Sequence, residues 1–167
     1  MFTLEDAKKK ALETVELLKE GKLKIAVAES CTGGLIASLI TDVPGASQVF
    51  ECGIVAYSED IKQQLLGVSK ETLDSFGVVS RETAKEMASG LFRVSAAHIC
   101  VSTTGIAGPD GGTEETPVGT VCTGFCIMGR VFAGELDLGA AGCRTREEVR
   151  LGAVCSVLDT VQSFIRE

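Results

Sequence analysis

Three short apolar stretches alternate with helix-period segments, and that alternation constrains the fold more than any other feature of the chain. The stretches are LKIAVAE at 23–29, VFECGIVAYS at 49–58 and HICVSTTG at 98–105. Each is short and apolar and reads as a strand, the first and third as buried ones. Leu4, Ala7, Ala11, Val15 and Leu18 recur at helical spacing behind the capping pair Thr3 and Asp6, which predicts a helix over 4–20 closed by Gly21. Gly33 and Gly34 open a helix running to about Thr41, Ser58 caps one that begins with Glu59 and Asp60, and Ser80 caps another over 81–96.

The last third has a different rhythm. TVCTGFCIMG and RVFAGELDLG meet at Gly129 and Arg130 as a hairpin, and Thr145 with Glu148 forms a capping box for a closing helix over 146–166. Helix–strand alternation followed by a hairpin and a helix predicts a three-layer α/β/α sandwich on a mixed, mostly parallel sheet with one antiparallel edge. At 167 residues, with 45% hydrophobic content, one domain over 1–167 is expected.

Composition narrows the chemistry. No apolar run approaches the roughly 18 residues needed to cross a bilayer, and the charged N-terminus lacks a signal-peptide centre, so a cytoplasmic location without membrane contact is expected. The net charge is −7, and the only run among sixteen scattered Lys and Arg residues is KKK at 8–10, which argues against nucleic acid as a partner. Seven cysteines at 31, 52, 100, 122, 126, 143 and 155 form no Cys-x-x-Cys pair and read as reduced, mostly buried thiols without a metal. Cys122 and Cys126 would share one strand face in the core.

His98 is the sole histidine and sits at the start of an apolar strand, so Ser-His-Asp and Cys-His mechanisms are out of reach. Proton transfer then falls to Lys, Tyr, Asp, Glu or water. Neither a P-loop nor a Rossmann fingerprint is present.

Two strand ends carry hydroxyls and glycines. AESCTGG places Ser30, Cys31 and Gly33 after the first strand and ahead of a helix N-terminus able to receive an anion. TTGIAGPDGG places Thr104, Gly105 and Gly108 after the third, where the same residues also read as a surface turn cluster. Ligands of open α/β sheets bind at the carboxyl ends of strands, so a shared pocket is expected there. Arg144 and Arg146 flank the N-cap of the closing helix, against the dipole, and either could hold a phosphate jointly with that terminus. Ser47, Tyr57 and Lys62 lie along one turn–strand–helix unit. Lys62 falls in the early turns of its helix, where dipole and partial burial lower a lysine pKa; the bland reading is a surface lysine.

Taken in order and spacing, AESCTGG, VAYSEDIK, TTGIAGPDGGTEETPVGTV and TREEVR resemble the CinA C-terminal domain family, including its stand-alone PncC-type nicotinamide-nucleotide amidohydrolases. The resemblance covers about residues 5–165. It implies hydrolysis of the carboxamide of nicotinamide mononucleotide to nicotinate mononucleotide and ammonia, self-association, no organic cofactor, and a serine–lysine dyad. Matched by spacing, that dyad is Ser47 and Lys62, with Tyr57 as a site tyrosine, and Ser30 and Thr104 as pocket hydroxyls. The family's closing helix motif selects Arg146 by its spacing to Val149 and Arg150, whereas Gly-Cys-Arg would select Arg144. Thr116 stands where the family commonly has lysine. A non-catalytic binding module of the same family is the competing expectation, and Cys31 is expected to be a packed bystander.

Overall fold

A computed structural model describes residues 2–167. Helix α1 (Leu4–Glu20) starts where Thr3 Oγ1 accepts the Asp6 N–H and Asp6 answers the Thr3 N–H, the capping box anticipated from the sequence. Its buried stripe of Ala7, Ala11, Thr14, Val15 and Leu18 follows the 3.6-residue period. The order continues with β1 (Ile25–Glu29), α2 (Leu35–Thr41), a 3₁₀ turn (Ala46–Gln48), β2 (Phe50–Val55), α3 (Glu59–Leu66), α4 (Lys70–Phe76), α5 (Arg81–Ser95), β3 (Ile99–Gly105), β4 (Thr120–Ile127), β5 (Arg130–Asp137) and α6 (Arg146–Arg166).

The five strands form one sheet in the order β2-β1-β3-β4-β5. β1 pairs in parallel with β2 and β3, and the β4–β5 hairpin supplies the antiparallel edge through β3. Side chains of alternate parity divide the core, as the pleat requires. Ile25, Val27, Ile99, Val101 and Phe125 pack into one cluster with α1, α2 and α6. Ala26, Ala28, Cys100 and Cys126 face the other way, into a cluster with Leu66 of α3, Leu73 of α4 and Met87 and Leu91 of α5. The α/β/α expectation therefore holds, and Cys122 and Cys126 are both buried. All seven thiols are free.

Two elements were not anticipated. Helix α4 is seven residues long and buries only Thr72 and Leu73, too few positions to display a period; Ser69 caps it by accepting from the Thr72 N–H. The 3₁₀ turn around Ser47 is shorter still. Among the described residues no helix is long and apolar enough to cross a membrane.

Parallel register sets up the site. Glu29 at the end of β1 lies opposite Val55 of β2 and Thr103 of β3. Ser30 and Ala56 therefore leave the sheet beside Thr104, near the end of β3, at one level and on one end.

Close helix packing holds α3 in place there. A Cβ on Gly90 of α5 would lie 1.7 Å from the backbone oxygen of Leu66 at the end of α3. Backbone atoms cannot step aside as side chains do. Gly90→Ala should lower stability by about 2 kcal/mol or more despite alanine's better helix propensity. An unchanged melting temperature would contradict this contact.

Candidate active site

A cavity of about 240 Å³ opens at the carboxyl ends of β1, β2 and β3. Ser30, Tyr57, Lys62, Thr104, Gly105, Gly108 and Arg146 line it, so most of the residues singled out from the sequence converge.

Lys62 is the central group. It lies in the first turns of α3, its residue has no solvent exposure, and its Nζ reaches under the β2–α3 link to the end of β1. Nζ donates to the Ala56 carbonyl at 2.8 Å and to Ser30 Oγ at 2.9 Å. The four ion pairs of the described residues use Lys10, Lys19, Lys24 and Lys70, and leave Lys62 without a carboxylate. Desolvation accordingly pulls its pKa below the ordinary 10.5, opposed by the weaker fields of Cys31 and Glu59. Once neutral, the amine keeps its bond to Ala56 and turns a lone pair toward Ser30, whose O–H becomes the donor.

Ser47 lies outside this cavity. It is exposed on the 3₁₀ turn ahead of β2, beside a separate depression formed with residues of 41–46 and Phe50. Six residues of β2 at about 3.3 Å each put about 20 Å between that turn and the end from which Lys62 departs. The Ser47–Lys62 pair expected by motif spacing is corrected to Ser30–Lys62. The signal was present in the topology: Ser30 and Lys62 each follow the carboxyl end of a strand, while Ser47 precedes an amino end.

Cys31 is 6% exposed and packs with Ala107, Val121, Leu138, Val149 and Ala153. Burial pushes its thiol up to about 11, so it is protonated at neutral pH and a poor nucleophile. His98 accepts the Lys24 N–H on Nδ1 at 2.9 Å, in a structural role beside the start of β3.

The glycines and the helix terminus behave differently from expectation. Gly33 is exposed and off the cavity wall, and its N–H is taken by the Ser30 carbonyl at 3.0 Å. Gly105 lines the cavity, but a Cβ there would meet the backbone of Thr120 and Val121 at 2.7 and 2.8 Å, so its identity answers to β4. The α2 N-terminus is not free for a ligand anion. Glu29, 1% exposed, already accepts from the Gly34, Ile36 and Ala37 N–H groups at 3.1, 3.1 and 2.9 Å.

Across the cavity, Arg146 resolves the choice left open between the two arginines. It donates from Nη1 to the Gly108 carbonyl at 2.8 Å and from Nη2 to Tyr57 Oη at 2.9 Å. Arg144 turns away, donating to the Gly139 carbonyl at 3.2 Å. Tyr57 is 61% exposed and accepts from Arg146. Thr104 donates its hydroxyl to the Val78 carbonyl at 2.8 Å, which leaves only its lone pairs for a ligand. Thr116 lies in a turn closed on Thr113, off the cavity wall. Cys31 beside Ser30, Val78 and Val79 before α5, and Ile106, Ala107, Asp110 and Gly111 of the long loop complete the wall, and of these only Val78 and Val79 carried no sequence signal.

A model of the CinA C-terminal domain matches residues 7–165. A CinA-like protein of Chlorobium limicola is 55% identical over 134 residues, covering 80% of this chain and 30% of its own length. A Thermoanaerobacter pseudethanolicus relative, named for competence-damage induction, is 48% identical over 151 residues, 90% of this chain and 36% of its own. The chain thus spans about a third of the length of these curated relatives. Among solved structures, the competence/damage inducible protein CihA of Agrobacterium tumefaciens superposes with a TM-score of 0.91 at 39% identity, over 100% of this chain and 99% of that one. A CinA superfamily protein of Klebsiella pneumoniae superposes at 0.90 with 26% identity, over 96% and 98%.

The lowered pKa of Lys62 has a consequence for stability. Between its folded value and 10.5 the unfolded chain binds more protons than the folded one, so stability rises with pH through that window. Denaturant unfolding at stepped pH from 7 to 10 should show the wild type gaining on Lys62→Met as pH rises. A difference constant with pH would refute the desolvated amine.

Proposed function

The chain belongs to the CinA C-terminal domain family, and on that premise we propose that it hydrolyses the carboxamide of nicotinamide mononucleotide, giving nicotinate mononucleotide and ammonia. One observation carries the reading: a buried lysine amine without a carboxylate partner stands 2.9 Å from a serine hydroxyl on a cavity wall. A neutral lysine beside a serine is a base–nucleophile pair that needs no histidine.

Ser30 Oγ attacks the carboxamide carbon while its proton passes to Lys62 Nζ. The tetrahedral intermediate collapses as Lys62 returns that proton to the amide nitrogen, and ammonia leaves an ester on Ser30. Water, deprotonated by the same amine, then releases the carboxylate and restores the serine. Thr104 Oγ1, whose proton is already committed to Val78, suits the carboxamide NH₂ as an acceptor. Arg146 supports the mononucleotide part of the reading. Its guanidinium is held only by a carbonyl and a phenol, neither of which cancels its charge, so it can turn to a phosphate at the mouth. The cavity's 240 Å³ suits the pyridine carboxamide, with ribose and phosphate toward that mouth.

The test is ammonia release from nicotinamide mononucleotide by the purified chain. Ser30→Ala and Lys62→Met should each lose about 10³-fold or more in kcat, while Ser47→Ala should stay within about twofold of wild type. Activity should rise with pH to a midpoint below 10.5, as Lys62 loses its proton. Full activity in Ser30→Ala would sink the dyad. Tight ligand binding without ammonia would make the site a binding module.

Arg146 has its own test. Arg146→Gln should raise KM for the mononucleotide by about 10- to 100-fold, the range of a charge-assisted hydrogen bond, and change KM for the phosphate-free riboside far less. Equal effects on both would remove the phosphate from Arg146.

A further inference from the structure

The turn from Ser30 to Gly34 holds the nucleophile yet belongs to neither strand nor helix, and it is gripped from three sides. Below it, the Glu29 carboxylate takes the Gly34 and Ile36 N–H groups on Oε2 and the Ala37 N–H on Oε1. From the sheet, Thr32 Oγ1 shares a hydrogen bond with Thr103 Oγ1 at 2.8 Å, both residues fully buried. From α6, Arg150 donates through Nη2 to the Thr32 carbonyl at 2.8 Å.

Neither Glu29 nor Arg150 lines the cavity, so neither would touch a substrate. Their placement nevertheless departs from what simple capping would need. Gly34 stands at the N-cap of α2 without a side chain to serve it, and the acceptor comes instead from the residue immediately before Ser30. The direction of α2 and the backbone of Ser30 are thereby tied through one buried side chain. Arg150 follows Arg146 by one helical turn. The same two turns of α6 thus fix the nucleophile's turn through Thr32 and the opposite wall through Gly108 and Tyr57.

We propose that Glu29 and Arg150 are positioning residues that clamp the Ser30 turn between β1 and α6 and so keep Ser30 Oγ within reach of Lys62 Nζ. The inference rests on the reading of Ser30 and Lys62 as nucleophile and base. Reaction geometry is steep in distance, and a shift of about 1 Å can cost on the order of 10²-fold in rate. The two sides of the clamp differ in kind. Glu29 offers charge-assisted bonds from a fully enclosed position, while half-buried Arg150 makes a single donation that a shorter cation can partly replace.

The experiment uses an alkyl fluorophosphonate, which needs the aligned pair but no nicotinamide. Ser30 Oγ bonds to phosphorus, its proton passes to Lys62, and fluoride leaves. Labelling of Ser30 is timed by mass spectrometry in the wild type, Glu29→Gln, Arg150→Met and Arg150→Lys, with melting temperature and pH dependence recorded for each. Glu29→Gln and Arg150→Met should label at least tenfold more slowly, and Arg150→Lys should recover part of the loss. The pH midpoint should stay in place, because the Lys62–Ala56 contact is untouched.

Wild-type labelling rates in both Glu29→Gln and Arg150→Met, with only the melting temperature lowered, would overturn the clamp. If Glu29→Gln fails to fold, the Arg150 pair decides, since restoration by Lys but not by Met is not expected of a purely structural contact. A wild type that takes no label on Ser30 overturns the nucleophile and the clamp together. Labelling without ammonia release removes only the proposed substrate.

Discussion

Taking a lysine ammonium out of water costs several kcal/mol unless the protein offers it partners, and the site is arranged around how little is offered to Lys62. One carbonyl and one hydroxyl receive the amine, and no carboxylate does. That choice couples three pieces of chain. The end of β1 supplies Ser30, the end of β2 supplies Ala56, and α3, pressed on α5 at Gly90, supplies the lysine. Parallel pairing brings the first two to one level, because Ala56 donates its N–H to the Glu29 carbonyl at 2.8 Å and Ser30 donates to Thr103 at 3.0 Å. Antiparallel pairing of β1 with β2 would send one of them to the far end of the sheet.

How much of this was legible in the sequence depends on whether a signal was local. Both capping boxes, the hairpin at Gly129 and the strands are written in residues a few positions apart, and they appear where the pattern places them, although β2 is a half-exposed edge strand. Helix α4 is not, since its identity rests on Glu86 of α5 receiving Ser69 and Thr72, a contact across fourteen or more residues that no period encodes. That Ser30 and Thr104 share a pocket was legible from strand ends, whereas Tyr57, Lys62 and Arg146 were tied to it by the family's motifs. The partner of Lys62 was not legible, because spacing along the chain favours Ser47, whereas sheet order favours Ser30.

Glu29 shows a second kind of illegibility. An acid at the end of an apolar strand reads equally as a site residue or a solvated end, and a glycine pair before a helix reads as an open anion cradle. In the folded chain each answers the other, so the cradle is filled from within and ligand anions must be met elsewhere. Gly105 teaches the same lesson about loops: its lack of a side chain is demanded by β4, not by a ligand.

Elsewhere is the far wall, and there the two cations of the site divide the work by their chemistry. A lysine can be made neutral by burial, so it is enclosed and kept from carboxylates. An arginine stays charged throughout the working pH range, so Arg146 sits exposed at the start of α6 on neutral acceptors. In a chain of net charge −7, a guanidinium left without a carboxylate is an expense in local field that Glu147 and Glu148 of the same turn could have relieved. Glu148 is committed instead to the Arg144 and Thr145 N–H groups, which hold its carboxyl below the usual range. Capping the helix and leaving Arg146 without a carboxylate are thus two results of one placement of charge.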